Sequence, residues 1–84
     1  MKKMKRNKDS NIQTADELEF AIFCIENLAD QLKMDAETVF DLLTVKSDVL
    51  YQYIVPEFEL LHTQSKKYIV DELIEVLREK GVNI

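Results

Sequence analysis

The scarcity of chain-breaking residues is the feature that most constrains what this sequence folds into. Gly and Pro each occur once among 84 residues, as Gly81 and Pro56. Small domains built from strands need many tight turns, in which Gly, Pro and Asn dominate. The sequence therefore predicts an all-α protein. Its length predicts a single domain with a small core.

The stretch "TADELEFAIFCIENLADQLK" predicts the first and longest helix. Thr14 suits the N-cap, and Thr14 with Glu17 fits a capping box. We interpret Cys24 as small core filler rather than a nucleophile. Apolar residues recur at helical spacing and predict a wide buried face made of Leu18, Ile22, Ile25, Leu28 or Ala29, and Leu32, widened by Phe20, Phe23 and Cys24.

Two shorter helices are predicted to follow. Asp35 suits the N-cap of the second, which buries Val39, Leu42 and Leu43. Ser47 or Asp48 caps a third helix over "DVLYQYI", which has Val49, Leu50, Tyr53 and Ile54 on its inner face. It should stop at Val55, because Pro56 disfavours helical geometry in the residue before it.

The segment "PEFELLHTQ" has two readings. It forms either a short helix with Pro56 at its first position or an extended connector. Thr63 or Ser65 then caps the last helix, and Gly81 ends it. The predicted fold is a compact bundle of four main helices, with or without a fifth short one, in a single domain over residues 14–84.

Charge divides the chain into two unequal parts. Residues 1–8, MKKMKRNK, carry five basic side chains and no acidic one, whereas residues 9–84 carry six basic and sixteen acidic side chains. We interpret residues 1–13 as a disordered basic tail. No apolar segment follows the basic stretch, so it does not resemble a signal peptide. With a single cysteine as well, we expect a cytoplasmic protein without a membrane span.

Signatures of enzyme chemistry are nearly absent from the sequence. A phosphate-binding loop needs several glycines, and a zinc site needs four N or S ligands. The chain has one Gly, one Cys and one His. We therefore expect no enzymatic activity, no cofactor and no metal.

Residues 35–54 have the outline of a helix-turn-helix. Its second helix would present Asp48, Tyr51 and Gln52, with no Arg or Lys. DNA binding depends on cationic contacts to phosphates. A small DNA-binding regulator that uses this motif and the basic tail is thus the alternative hypothesis, and nucleic acid the less expected partner.

The polar run around His62 interrupts two apolar stretches near the only proline. It is either a hydrogen-bonded corner that caps the last helix or a contact surface for another protein. Aromatic and polar side chains of this kind suit interfaces. The predicted partner-binding residues are Tyr53, Pro56, Glu57, His62, Thr63 and Gln64.

Four segments, "FAIFCIENLADQL", "VFDLL", "YIVPEFELLHTQS" and "YIVDELIEVLREKG", together resemble a family of short bacterial proteins known as a domain of unknown function. The resemblance runs from about Glu19 to Val82. It implies a gene beside one for an ADP-ribosyltransferase-like protein, and hence a partner or antitoxin-like role. His62, Thr63 and Gln64 match the family's pattern. The leading hypothesis is a non-enzymatic interaction protein that neutralises such a co-encoded enzyme.

The tail interpretation gives a prediction about stability. Deleting residues 1–8 should leave the thermal melting temperature nearly unchanged, because a solvated basic segment buries no apolar surface. Circular dichroism melting of the two chains measures this. A large drop in the melting temperature of the shortened chain would show that the segment packs against the domain.

Overall fold

The computed structural model describes residues 12–84, and the predicted tail up to residue 11 lies outside them. All regular secondary structure in this range is helical, which confirms the all-α prediction. In chain order the elements are α1 (Ala15–Leu32), α2 (Ala36–Thr44), a π-helix (Leu50–Ile54), α3 (Phe58–Leu61) and α4 (Lys66–Glu79). The bundle therefore consists of three helices of nine or more residues and two short turns.

The three longer helices begin at side-chain caps that the sequence predicts. Thr14 Oγ1 accepts from the Glu17 backbone N–H at 3.1 Å, and an Asp35 carboxylate oxygen accepts from the Thr38 N–H at 2.9 Å. For α4 the sequence left two caps open, and Ser65 is the one used. Each cap satisfies one of the backbone donors that a helix start leaves unpaired.

The capping box at α1 differs from the predicted form in one bond. The Glu17 carboxylate accepts from the backbone N–H of Gln13 at 2.8 Å, one residue before the cap. The side chain of Ile12 packs against the core just before this point. The ordered domain thus includes two residues that the sequence assigned to the tail.

The buried face of α1 is rotated from the predicted one. Leu18 and Ile22 were expected to be buried, yet they are 47% and 44% exposed. Of the predicted face, Phe20, Cys24 and Leu28 are buried, together with Ala21, which was not predicted. Leu18 and Ile22 recur at the same helical spacing, and packing against α2 and α4 selects the side of the stripe that includes two small residues.

One core joins all five elements. Cys24 is fully buried, as predicted, together with Leu28 on α1. Half-buried Val82 and Ile84 cover the core after the last helix. The remaining buried apolar residues are Phe20, Ala21, Val39, Leu43, Val49, Leu50, Ile54, Val55, Leu61, Ile69, Val70, Leu73 and Leu77.

The third predicted helix is a π-helix. The Val55 N–H donates to the Leu50 carbonyl, five residues earlier, at 3.0 Å. This wider turn buries Val49 with Ile54 and Leu50 with Val55, two pairs that are each five residues apart. Tyr53, which α-helical spacing predicts to face the core, is consequently only half-buried.

The start of the π-helix also differs from the prediction. Asp48 has a φ of 62° and does not cap it, whereas the Ser47 hydroxyl accepts from the Val49 N–H at 3.3 Å. At its end, Val55 keeps right-handed helical angles although Pro56 follows. Pro56 is not the first residue of α3 as predicted, because Glu57 is the N-cap.

Helices α1 and α4 end in residues with positive φ. Gly81 has a φ of 89°, and the Val82 N–H donates to the Leu77 carbonyl at 2.9 Å, which forms a Schellman motif. At the end of α1 the same kind of turn forms with a φ of 59° at Lys33, a residue that has a Cβ. Left-handed geometry costs such a residue roughly 1–2 kcal/mol.

We therefore expect Lys33→Gly to stabilise the fold. Relief of the left-handed strain exceeds the entropy that Gly loses on folding, which leaves a gain of about 0.5–1 kcal/mol. Urea denaturation measures the free energy of unfolding. Lys80→Gly is the matched control, because Lys80 has a φ of −85° and no strain to relieve. Equal effects of the two substitutions would contradict this explanation.

Candidate functional site

His62 follows the single turn of α3 and lies on the surface. Its imidazole stacks on the ring of Phe58, with centroids 4.6 Å apart and planes inclined by 20°. The His62 backbone N–H donates to the Phe58 carbonyl at 3.0 Å, so the short helix sets the relative position of the two rings. The corner therefore presents a stacked aromatic pair to solvent.

Two phenylalanines of α1 extend this pair. Phe58 meets Phe20 edge to face, with centroids 5.4 Å apart and planes at 67°. Phe20 in turn lies alongside Phe23, at 6.0 Å and 16°. Phe20 is buried, Phe23 and Phe58 are half-buried, and His62 is exposed. The buried ring of Phe20 thus links Phe23 to the pair at the surface.

These rings line a shallow groove of about 410 Å³. Asp16 and Glu19, from the first turns of α1, line it as well. Gln64 and Ile69 complete its lining from the chain around the start of α4. We call this feature the aromatic groove.

The structure places two of the six predicted partner-binding residues in the lining of the aromatic groove and a third beside it. His62 and Gln64 line the aromatic groove. Thr63 is beside it, where its hydroxyl donates to the Leu60 carbonyl at 2.8 Å and accepts weakly from the Gln64 amide at 3.4 Å. Neither Thr63 nor Gln64 is needed to cap α4, because Ser65 does so.

The other three predicted residues do not line the groove. Pro56 is exposed and Glu57 half-buried. The Tyr53 hydroxyl donates to Glu72 on α4, with 3.0 Å between the oxygens. Tyr53 thus joins the π-helix to the last helix instead of belonging to the same surface as His62.

Sequence reasoning missed most of the groove. Phe20 and Phe23 were assigned to the core stripe, and Phe58, Asp16 and Glu19 were not among the predicted partner-binding residues. One signal was present: an acidic pair and an aromatic pair, each three residues apart, share the first turns of one helix. Residues at such spacing lie close together on a helix.

Two side chains have a strongly raised pKa. Burial raises the pKa of the Cys24 thiol to about 12, so the reactive thiolate is suppressed. The pKa of Tyr53 also rises to about 12, first through burial and then through its hydrogen bond to Glu72. Both shifts favour the neutral form, and neither group lies in the aromatic groove.

Comparison with known proteins identifies the family. A sequence model of the family described as protein of unknown function (DUF3791) matches residues 19–80. The chain belongs to this family. The matched range includes every ring of the aromatic groove, and it begins at Glu19, within α1. No curated protein and no solved structure matches the chain.

Within residues 12–84, no cluster of three or more His, Cys, Asp or Glu side chains is arranged to hold a metal ion. No helix in this range is long and apolar enough to cross a lipid bilayer.

The Tyr53–Glu72 contact predicts a high-pH effect. The folded-state pKa of Tyr53, about 12, lies above its ordinary value of 10.0. The stabilising contribution of Tyr53 is therefore present in full when the pH is below its ordinary pKa. It is lost as the pH rises towards its folded-state pKa. Spectroscopic titration of phenolate absorbance should show one of the three tyrosines ionising last.

Tyr53→Phe should remove this last ionisation and make stability less sensitive to pH in the same window. Tyr68→Phe, at an exposed position on α4, is the matched control and should leave the late ionisation in place. If the late ionisation survives in Tyr53→Phe, the contact with Glu72 does not hold the phenol proton.

Proposed function

We propose that this chain is a non-enzymatic protein-interaction module, and that it acts as an antitoxin-like partner of an ADP-ribosyltransferase-like protein that the family resemblance implies is encoded beside it. The observation that supports the proposal is the aromatic groove. Half-buried Phe23 and Phe58 and exposed His62 offer a contiguous ring surface at the edge of the core. Interfaces are enriched in aromatic residues of this kind.

The charge of the domain agrees with this role. Residues 12–84 carry six basic and fifteen acidic side chains. A surface of one sign speeds association with a partner of the opposite sign and disfavours wrong partners. Enzymes that bind nucleotide phosphates present cationic clefts, so an acidic domain is suited to cover one.

No observation in the fold favours the alternative, a DNA-binding regulator. The second element of the presumed helix-turn-helix is the five-residue π-helix Leu50–Ile54, which contains no Arg or Lys. Buried Leu50 and Ile54 fix it against the core. Within residues 35–54 the one cationic side chain is Lys46, in the turn, so most phosphate contacts would have to come from the basic residues 1–8, outside the described structure.

The test is coexpression with the neighbouring enzyme, followed by calorimetry of the purified pair. We expect a stable complex that His62→Ala with Gln64→Ala weakens about thirtyfold, the effect of losing about 2 kcal/mol at an interface hot spot. The melting temperature of the free variant should stay near that of the parent, because both side chains are exposed.

Tyr68→Ala is the matched control. Tyr68 is an exposed aromatic residue, 48% accessible, that does not line the groove. It should leave the affinity unchanged. Absence of any complex would overturn the proposed function. A His62/Gln64 variant that loses stability, by roughly 0.5–1.5 kcal/mol per lost hydrogen bond, yet binds fully would make the corner purely structural.

A further inference from the structure

The aromatic groove combines two features that together define a ligand class. Its ring faces come from α1 and from the segment around α3, and its acidic edge comes from Asp16 and Glu19. Among the residues that line it, none is Lys or Arg. The floor of the groove is therefore apolar, and the charged side chains at its edge are acidic.

The two carboxylates are not committed to other groups. Asp16 and Glu19 are exposed, and neither forms an ion pair or a side-chain hydrogen bond with a residue of the described chain. They are three residues apart on α1, so their side chains project from neighbouring positions on one face. Two such acceptors suit a donor that makes several directed hydrogen bonds.

The rings suit a flat cation. A cation placed over the face of an aromatic ring is attracted by the ring's negative face, and more strongly when water is excluded. Phe23 is half-buried at the groove, beside the acidic pair in the helical order of α1. A side chain lying on this ring has carboxylates one and two turns away along the helix.

We propose that the aromatic groove binds an arginine side chain of the partner protein, with the guanidinium stacked on the phenylalanine surface and paired with Asp16 and Glu19. Arginine fits better than lysine because its planar head stacks on rings and donates up to five hydrogen bonds in a fixed fork. This inference deepens the proposed function and rests on it, because it names the chemistry by which that same surface recognises its partner.

The Gln64 side chain supplies an additional acceptor. Its amide nitrogen is turned towards the Thr63 hydroxyl, at 3.4 Å, and its carbonyl oxygen is left available at the edge of the groove. An arginine head carries five N–H donors that point in different directions, so those that point away from the two carboxylates need another acceptor. Gln64 is therefore expected to contribute to affinity, less than either acidic residue.

The closing experiment uses synthetic peptides, so that it does not depend on the enzyme. The full chain is titrated with a capped Leu-Arg-Leu peptide, and with the same peptide carrying Lys or Gln at the centre, by two-dimensional NMR. We expect shifts concentrated at Phe20, Phe23, Phe58 and His62, with at least threefold weaker binding of the Lys peptide and tenfold weaker binding of the Gln peptide.

Variants that remove the carboxylate charges show where the Arg peptide binds. Asp16→Asn with Glu19→Gln should weaken binding of the Arg peptide at least tenfold. The matched control is Glu75→Gln with Glu79→Gln, which removes the same charge from exposed positions on α4 outside the groove. It should change binding less than twofold. Equal losses in the two variants would show only general attraction of a cation to an acidic protein and would overturn the proposal.

The chain's own basic segment is the competing occupant. Residues 1–8 hold five cations and precede the acidic end of α1 by a short stretch of chain. If replacing those five cations by Gln in the full chain strengthens binding of the Arg peptide tenfold or more, the groove belongs to this segment and the proposal is overturned. An unchanged affinity supports an arginine supplied by another protein.

Failure of this inference is separable from failure of the proposed function. If the enzyme forms a complex that the Asp16/Glu19 variant leaves intact, the chain remains an interaction protein and only the arginine contact is wrong. If the peptides behave as expected and no complex with the enzyme forms, the groove keeps its chemistry and the named partner is wrong.

Discussion

The packing of one face of α1 against two other helices is the interaction on which the rest of the structure depends. Ala21 and Cys24 are small residues on the buried face of α1, which they share with Phe20 and Leu28, and both α2 and α4 contact this helix. Neither α2 nor α4 has enough apolar surface to fold alone, since isolated helices of this length are marginal in water. The central helix therefore gives each of them its buried surface, and it also carries half of the aromatic groove.

The parts of the fold that could be predicted from sequence are those encoded by local chemistry. Thr14 and Asp35 were identifiable as caps, and Ser65 as one of two candidates, because a helix start is satisfied by a hydroxyl or carboxylate within three residues. Gly81 was identifiable because positive φ is cheap only for glycine. The edge of the buried face of α1 was not, because Leu18 and Ile22 recur at the same spacing as the buried residues, and only the partner helices distinguish them.

The difference between local patterns and long-range packing also explains which residues of the candidate site could be predicted. His62 and Gln64 stood out as a polar interruption beside the only proline, which is a local pattern. Phe20 and Phe23 lie about forty residues earlier in the sequence and reach the corner only through the fold. Tyr53 was grouped with His62 because both lie near the bend marked by Pro56, and the turn before that bend was predicted as an ordinary helix. The π-helix adds a residue to that turn and directs Tyr53 to Glu72 instead.

The buried position of the only thiol makes Cys24 a reporter of local unfolding. Cys24 has no accessible surface, and its raised pKa keeps it in the unreactive form. An alkylating reagent therefore modifies it only when α1 separates from its neighbours. Where opening and closing are fast relative to alkylation, the rate of modification is proportional to the population of opened molecules. The chain has no Trp and no second cysteine, so alkylation reports on Cys24 alone. Its rate therefore measures how often the central helix is exposed.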